Sequence, residues 1–553
     1  MSGARSGGKI LVECLVNQGV NTAFGVPGES YLDVLDALYD AQNQIRMVVT
    51  RHEGGAAFMA EAYGKLTGKP GICFVTRGPG ATNAAIGVHT AMQNSTPMIL
   101  FVGQIGRDMR DREAFQEVDY RAMFGTMVKW ATEIDAVDRI PETIARAFTT
   151  ALSGRPGPVV VALPEDMLRD LSSRTACEAV KWSEPAPASS DLDRALDRLR
   201  VAKRPLLIAG GGGWTAQGRQ DLQKFVEKNN LPVAVAFRYQ DLLDNKSAAY
   251  IGDAGVGMSP YLKGLIGEAD VIFGMNVRFG ESTTEGWSLI DVPNPKQALI
   301  HSHISDRELG KIYQAEVPIH AGPNHLAAAL AAAPVLGDWS DWQKKGRAGF
   351  LAMRENATQT GAVNMVEICA WLRQNLDDDC IITNGAGNFA IWPSKFLDFG
   401  HNRRLLAPQS GAMGAGLPAA IAAKTVDPAR QVLCFAGDGD IQMTLAELGT
   451  AAQENLRPII LVLNNGMYGT IRAHQEKHYP NRVSATKIVN PDFVTIAKAY
   501  GFHGERVSTT AEFVPAFQRA KVSAQGAIVE IMIDPEDISP FSSIAKIRGT
   551  GRV

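Results

Sequence analysis

The chain is short of several features, and each absence closes off a class of protein. No apolar run reaches the ~18 residues of a membrane-spanning helix and no charged-then-apolar leader is seen, so neither a span nor a secretory signal is expected. No Lys/Arg cluster stands out and the formal charge is −3, which gives no basic field for nucleic acid. Six cysteines (Cys14, Cys73, Cys177, Cys369, Cys380 and Cys434) lie scattered without CxxC spacing. Buried free thiols are therefore expected in place of disulfides or zinc, and a cytoplasmic location follows. A nicotinamide dehydrogenase needs GxGxxG with an acidic residue ~20 positions on, and the Gly210–Gly213 run lacks that layout.

Glycine is plentiful, at 54 of 553 residues, as suits an α/β protein with many tight strand-to-helix turns. The length allows about three domains of ~150 residues each. In the first block, strand-like runs at 22–26, 45–50, 71–76, 98–102 and 158–163 alternate with helical patterns at 54–67 and 81–93. That alternation predicts a parallel sheet covered on both faces. A Pro/Ser-bearing stretch at 183–190 reads as a linker. The second block carries strand ends at RPLLIAGGGG, ADVIFGMNVRFG and QALIHSHIS, and a charged, Trp-bearing stretch at 337–361 reads as a second linker holding a possible helix. The third has strand-like runs at 380–383, 431–436, 459–463 and 527–533. The expected fold is α/β: three doubly wound parallel-sheet domains spanning 1–182, 191–336 and 362–540. The tail from Ile538 reads as either an ordered arm or a flexible end.

Chemistry concentrates in GDGDIQMTLAELGTAAQENLRPIILVLNN, residues 437–465. An apolar run ends at Gly437-Asp438-Gly439-Asp440, a helical pattern spans 444–455, and a second apolar run ends at Asn464-Asn465. Such a right-handed βαβ unit places Asp438 and Asn465, 27 positions apart, at the carboxyl ends of parallel strands, where open α/β sheets bind ligands. One carboxylate and one amide oxygen form a sparse hard-oxygen site of the kind Mg²⁺ accepts when phosphates complete its shell. A Gly-Asp-Gly alone is a common turn; the Asn-Asn at this interval makes it a candidate magnesium–diphosphate clamp.

This interval resembles the pattern of thiamine diphosphate (ThDP) enzymes. In TRHEGGAAFMAEAYG, Glu53 sits between a strand and a helix, where a carboxylate can simply favour the helix N-terminus. The segment resembles the strand–H–E–x–x–A element of those enzymes, followed by GPGATN at 78–83. Over almost its whole length the chain is similar to the acetolactate-synthase-like (acetohydroxyacid synthase) group.

That resemblance implies a pyrimidine-binding domain, a central Rossmann-like domain and a diphosphate-binding domain. It also implies a homodimer or homotetramer with ThDP held between subunits. Glu53 would activate the cofactor held by the partner, with Pro79 and Asn83 beside it. Gly411 and Met413 in GAMGAGLPAAIAA would support the bent cofactor, and Gly387, Asn388 and Phe389 in NGAGNFAIW would approach its phosphates. Gly437, Gly439, Asp440, Ile441, Tyr468 and Gly469 would add further cofactor contacts. Asp438, Asn465 and the Met467 carbonyl would hold Mg²⁺. AFQEVDYRAMFGTMVKW resembles the substrate loop, with Gln116 facing the thiazolium and Lys129 nearby. His474 stands where biosynthetic synthases present a Trp, which makes it a candidate substrate contact in the catalytic set with Glu53 and Gln116, and Pro27-Gly28-Glu29-Ser30 replaces their PGG. Gly210–Gly213 and Arg278-Phe279 resemble parts of a flavin site, but the GESTTEG that follows departs from it, so FAD is the less favoured of two readings.

The implied activity is decarboxylation of a small-molecule 2-keto acid with transfer of the remaining acyl unit to a carbonyl acceptor. The alternative is a 2-keto acid decarboxylase or 2-hydroxyacyl lyase without a biosynthetic acetolactate role. A catalytically silent homologue would not be expected to keep Glu53, Asp438 and Asn465 together.

Overall fold

The computed structural model describes residues 3–357 and 359–550. Three parallel six-stranded sheets, each flanked by helices, follow one another along the chain. The N-terminal sheet is ordered Arg46–Val49, Thr22–Gly25, Gly71–Val75, Met98–Gln104, Pro158–Pro164 and Trp130–Glu133. The central one runs Tyr250–Ala254, Val233–Ala236, Pro205–Ala209, Val271–Met275, Ala298–His303 and Val317–His320. The C-terminal one runs Arg404–Leu406, Ile381–Asn384, Val432–Gly437, Ile459–Asn464, Ala527–Met532 and His503–Val507.

Counted within each unit, the first and third sheets share the order 2-1-3-4-6-5, while the central sheet has the 3-2-1-4-5-6 order of a dinucleotide fold. In the third unit the order reverses between Ile381–Asn384 and Val432–Gly437, so a crevice opens at their carboxyl ends. In the first unit it reverses between Thr22–Gly25 and Gly71–Val75. The two ends of the chain thus build the same kind of ligand edge twice.

Strands such as Pro158–Pro164 and Met98–Gln104 are buried throughout, because helices cover both faces of a parallel sheet. Small residues bring the first and third units together. Ala56 and Ala60 of helix Glu53–Thr67 and Ala84 of helix Gly78–Asn94 share one apolar core with Ala420 and Leu448. The central unit has its own core.

Three elements differ from the expectations. Trp130–Glu133 is an edge strand, half-buried and without a continuous apolar run to announce it. The stretch read as a second linker does hold the helix considered there, Ser340–Glu355, but it is no linker: it packs Trp342 and Phe350 onto the central unit, with the Trp342 indole donating to the Pro205 carbonyl at 3.0 Å. Where one helix is predicted over 444–455, the chain instead makes a 3₁₀ turn, Leu445–Glu447, then a helix, Leu448–Gln453, and the Glu447 side chain at their junction bonds the N-terminal unit. The tail is an ordered arm: helix Ile544–Thr550 docks against helix Gly469–His478. Val553 and its two predecessors lie outside the described residues. Among the described residues no helix is long and apolar enough to cross a membrane, and all six cysteines are free.

Candidate active site

Four loops at the carboxyl edge of the C-terminal sheet enclose a cavity of about 240 Å³. Gly387, Asn388 and Phe389 come from the loop after Ile381–Asn384, and Gly411 and Met413 from the approach to helix Gly416–Val426. Gly437, Asp438, Gly439 and Asp440 end the strand Val432–Gly437, and Asn465, Met467, Tyr468 and Gly469 follow Ile459–Asn464. Ile441 lies behind this wall, buried. Gly387 has φ +150°, a conformation other residues rarely adopt, so the turn that points this loop at the cavity requires glycine.

Asp438 is the most constrained group of the set. Its Oδ2 accepts from the Gly466 amide at 2.9 Å and from Asn490 Nδ2 at 2.6 Å, and burial holds its carboxyl above the usual range. Asn490 also donates to Asn464 Oδ1 at 2.8 Å. The two halves of the GDG…NN motif are therefore one hydrogen-bonded unit. Among the described residues no group of three or more His, Cys, Asp or Glu could cage a metal. Of the buried carboxylates in the lining, Asp440 is taken up by the Ala386 and Gly414 amides, which leaves Asp438 as the anion beside Asn465 and Met467. A carboxylate desolvated in this way is relieved by a nearby cation, and so sparse an oxygen set suits Mg²⁺ that takes its remaining ligands from phosphate and water.

Asp440 has a different task. Its Oδ1 accepts from the Ala386 amide and from the Gly414 amide, both at 2.9 Å. It ties three of the four loops together, and burial pushes its carboxyl up to about 7. Thr444 adds a further tie through its hydroxyl to the Gly414 carbonyl at 2.7 Å.

The far wall comes from residues that sequence reasoning missed. Ile533, Asp537 and Ile538 line the cavity, and Asn388 Nδ2 donates to the Ile538 carbonyl at 2.9 Å. The Thr470 hydroxyl bonds Asn388 Oδ1 at 2.6 Å. The terminal helix is pinned by Arg548, whose Nε and guanidinium N–H donate to the two Glu476 carboxylate oxygens at 2.9 Å each. No motif marks these residues; Asn490 alone had a local sign, the Asn-Pro turn at 490–491.

The remaining expected residues gather elsewhere. Glu53 opens helix Glu53–Thr67, whose N-terminus is capped by His52 Nδ1 accepting from the Gly54 amide at 3.0 Å. Asn83 Nδ2 donates to Glu53 Oε2 at 2.9 Å, and Pro79 is exposed on the same helix start as Asn83. Gln116 sits at φ +65°, a conformation costing about 1–3 kcal/mol outside glycine, and its carbonyl accepts from the Gly78 amide at 3.1 Å. Glu29 is exposed just past the strand Thr22–Gly25. None of these lines the four-loop cavity of its own chain. Lys129 turns inward to the Ser153 carbonyl at 2.5 Å, and burial beside Arg155 lowers it to about 8. His474 faces a second cavity of about 820 Å³, shared with Gly211, Arg278 and Gln409.

Comparison with known proteins agrees with this layout. Residues 5–123 match the description "Thiamine pyrophosphate enzyme, N-terminal TPP binding domain", residues 192–330 the central domain and residues 385–531 the C-terminal TPP binding domain. The chain belongs to the acetolactate-synthase-like thiamine pyrophosphate enzymes. It is 31% identical to the acetolactate synthase isozyme 3 large subunit of Escherichia coli K12, across 99% of this chain and 97% of that one. It is also 31% identical to the acetolactate synthase large subunit of Corynebacterium glutamicum, across 98% and 88% of the two chains. The same identity holds for that of Parasynechococcus marenigrum, across 91% and 83%. Glu53 lies within the residues that match the N-terminal TPP binding domain, and Asp438 and Asn465 lie within those that match the C-terminal one.

Proposed function

We propose that this enzyme binds ThDP with Mg²⁺ and decarboxylates a 2-keto acid, transferring the remaining acyl unit to a carbonyl acceptor. The observation that carries the reading is the convergence of Asp438, Asn465, Met467 and Met413 on one cavity, with Asp438 already bonded to the Asn465 loop through Gly466. Bound there, the cofactor supplies a nucleophilic carbon and an electron sink for the departing CO₂. The chain supplies the rest. Asp438, Asn465 and the Met467 carbonyl hold the metal, Gly387 to Phe389 approach the phosphates, and Met413 and Gly411 support the bend.

The site is assigned to the interface of a homodimer or homotetramer, each cavity completed by Glu53 of the partner subunit, with Pro79, Asn83 and Gln116 beside it. Exposed apolar side chains near both halves support a face that another copy covers: Ile86 and Phe115 on the first unit, and Met443, Ile471 and Val489 on the third. The domain divisions at 1–182, 191–336 and 362–540 belong to the same reading. FAD stays the less favoured occupant of the second cavity. Gly211 and Arg278 line it, but so do Glu281 and Glu285, whose charge opposes that of a dinucleotide's phosphates.

A second reading, plain decarboxylation or lyase chemistry without an acetolactate role, draws on Glu29. An exposed carboxylate at the switch point of the N-terminal sheet narrows the room for an anionic acceptor. CO₂ release from a panel of 2-keto acids, with and without aldehyde or keto-acid acceptors, tests the proposal. Ligated products support it; CO₂ with free aldehyde alone selects the second reading, and no CO₂ from any keto acid overturns both.

A further inference from the structure

Nine positions after the metal aspartate, Glu447 leaves its own unit and reaches the N-terminal one. The side chain is fully buried. Oε1 accepts from the His52 amide at 3.0 Å, and both carboxylate oxygens accept from the Arg51 amide at 3.2 Å. The Thr450 hydroxyl donates to Oε2 at 2.6 Å. Arg51 and His52 are the last two of the three residues, Thr50 to His52, that carry the chain from strand Arg46–Val49 into helix Glu53–Thr67, and Glu53 is the next residue.

The turn is held on its other side as well. The Arg51 guanidinium donates to the Gly449 carbonyl at 3.2 Å and to Gln453 Oε1 at 2.8 Å, both on the helix that follows Glu447. Gly55, in the first turn of the Glu53 helix, leaves the space the carboxylate fills; a Cβ there would collide with it. A buried carboxylate with two backbone donors, beneath a helix N-terminus, is a strong and directional anchor. Burial holds the Glu447 carboxyl above its usual range, offset by those donors.

We propose that Glu447 is a positioning residue: it fixes the strand-to-helix turn that presents Glu53, so the chain that holds one cofactor's metal also sets the glutamate offered to another. This rests on the reading of Glu53 as the residue that activates ThDP. Glu447 touches neither substrate nor cofactor. Its effect on Glu53 is that of a partner one shell out, whose removal costs about 10- to 100-fold in the step it supports.

The test uses the full-length protein in three forms: Glu447→Ala, Glu447→Gln and Gly55→Ala, the last displacing the carboxylate without deleting it. Two quantities are read: amide hydrogen exchange at residues 51–53 without cofactor, and the rate of C2 proton exchange of bound ThDP beside its affinity with Mg²⁺. Glu447→Ala is expected to unprotect the Arg51 and His52 amides. It should slow C2 exchange by about 10- to 100-fold while ThDP affinity moves less than about threefold. Gly55→Ala should follow it, and Glu447→Gln, which keeps one acceptor oxygen, should recover part of the rate. Folded Glu447→Ala protein with wild-type C2 exchange overturns the assignment, as does an equal loss of cofactor affinity. Should Glu447→Ala not fold, Gly55→Ala and Glu447→Gln decide by the same two readings. Wild-type protein that binds ThDP yet leaves its C2 proton unexchanged overturns the role of Glu53, and that of Glu447 with it.

Discussion

Asn490 donates a 2.6 Å hydrogen bond to Asp438 Oδ2, the oxygen that also accepts from the Gly466 amide. A residue outside the GDG…NN motif thus orients its carboxylate. Asn490→Ala leaves that oxygen with one donor and frees the side chain to rotate. Mg²⁺ affinity in the presence of ThDP should fall by about 10- to 100-fold, as for other residues that orient metal ligands. Titration of Mg²⁺ against ThDP-dependent fluorescence quenching reads the effect; an unchanged midpoint would show that Asp438 needs no such support.

Asp438 itself is the larger lever. With ThDP at about 100 times its dissociation constant in a fixed excess of Mg²⁺, its binding should stabilise the wild-type protein by about 2.7 kcal/mol, visible as a rise in Tm. Asp438→Ala should show no rise when ThDP and Mg²⁺ are added together. A full rise in this variant would place the metal elsewhere.

Glu53→Gln retains the helix start and the hydrogen bond from Asn83 through its carbonyl oxygen, while losing the charge. ThDP affinity should stay within a few-fold, and C2 proton exchange should become undetectable above the free cofactor's rate. Exchange at the wild-type rate would remove the role assigned to Glu53.

The docked tail is sensitive to acid. Arg548 and Arg472 hold the Glu476 carboxyl down at about 2, against an ordinary 4.5. A carboxylate depressed in the folded state lends stability that is fully present above pH 4.5 and is lost as pH falls toward 2. Glu476→Gln should therefore flatten the acid limb of the stability curve over that window, and Arg548→Ala should do so in part. Chemical denaturation at a series of pH values checks this; parallel acid limbs in wild type and Glu476→Gln would contradict it.

Much of this arrangement is legible in the sequence where chemistry and packing are local. Buried parallel strands such as Ile459–Asn464 are unbroken apolar runs, and the loops at their ends carry Asp438 and Asn465 at a spacing only a βαβ unit explains. Met413 and Gly387 lie within short segments whose glycines already mark a turn. Legibility stops where structure depends on distant partners. Trp130–Glu133 is an edge strand whose half-exposed residues give no apolar signal. Ser340–Glu355 hides its buried Trp342 and Phe350 among lysines and arginines. Ile538 reaches the cavity, and Asn490 the Asp438 carboxylate, from 150 and 52 positions away from their hydrogen-bond partners. Glu447 looks like a helix-face glutamate until the fold brings Arg51 and His52, nearly 400 positions earlier, onto it.

In the proposed assembly each active site draws its glutamate and its metal loop from different subunits. Glu53→Gln and Asp438→Ala variants, co-expressed with different affinity tags and purified through both, give a heterodimer that tests it. One of its two sites would then be intact and the other doubly disabled, so about half of the wild-type turnover per dimer is expected, while each variant alone is inactive. A tandem-purified heterodimer as inactive as its parents would show instead that Glu53 and Asp438 serve the same chain's site.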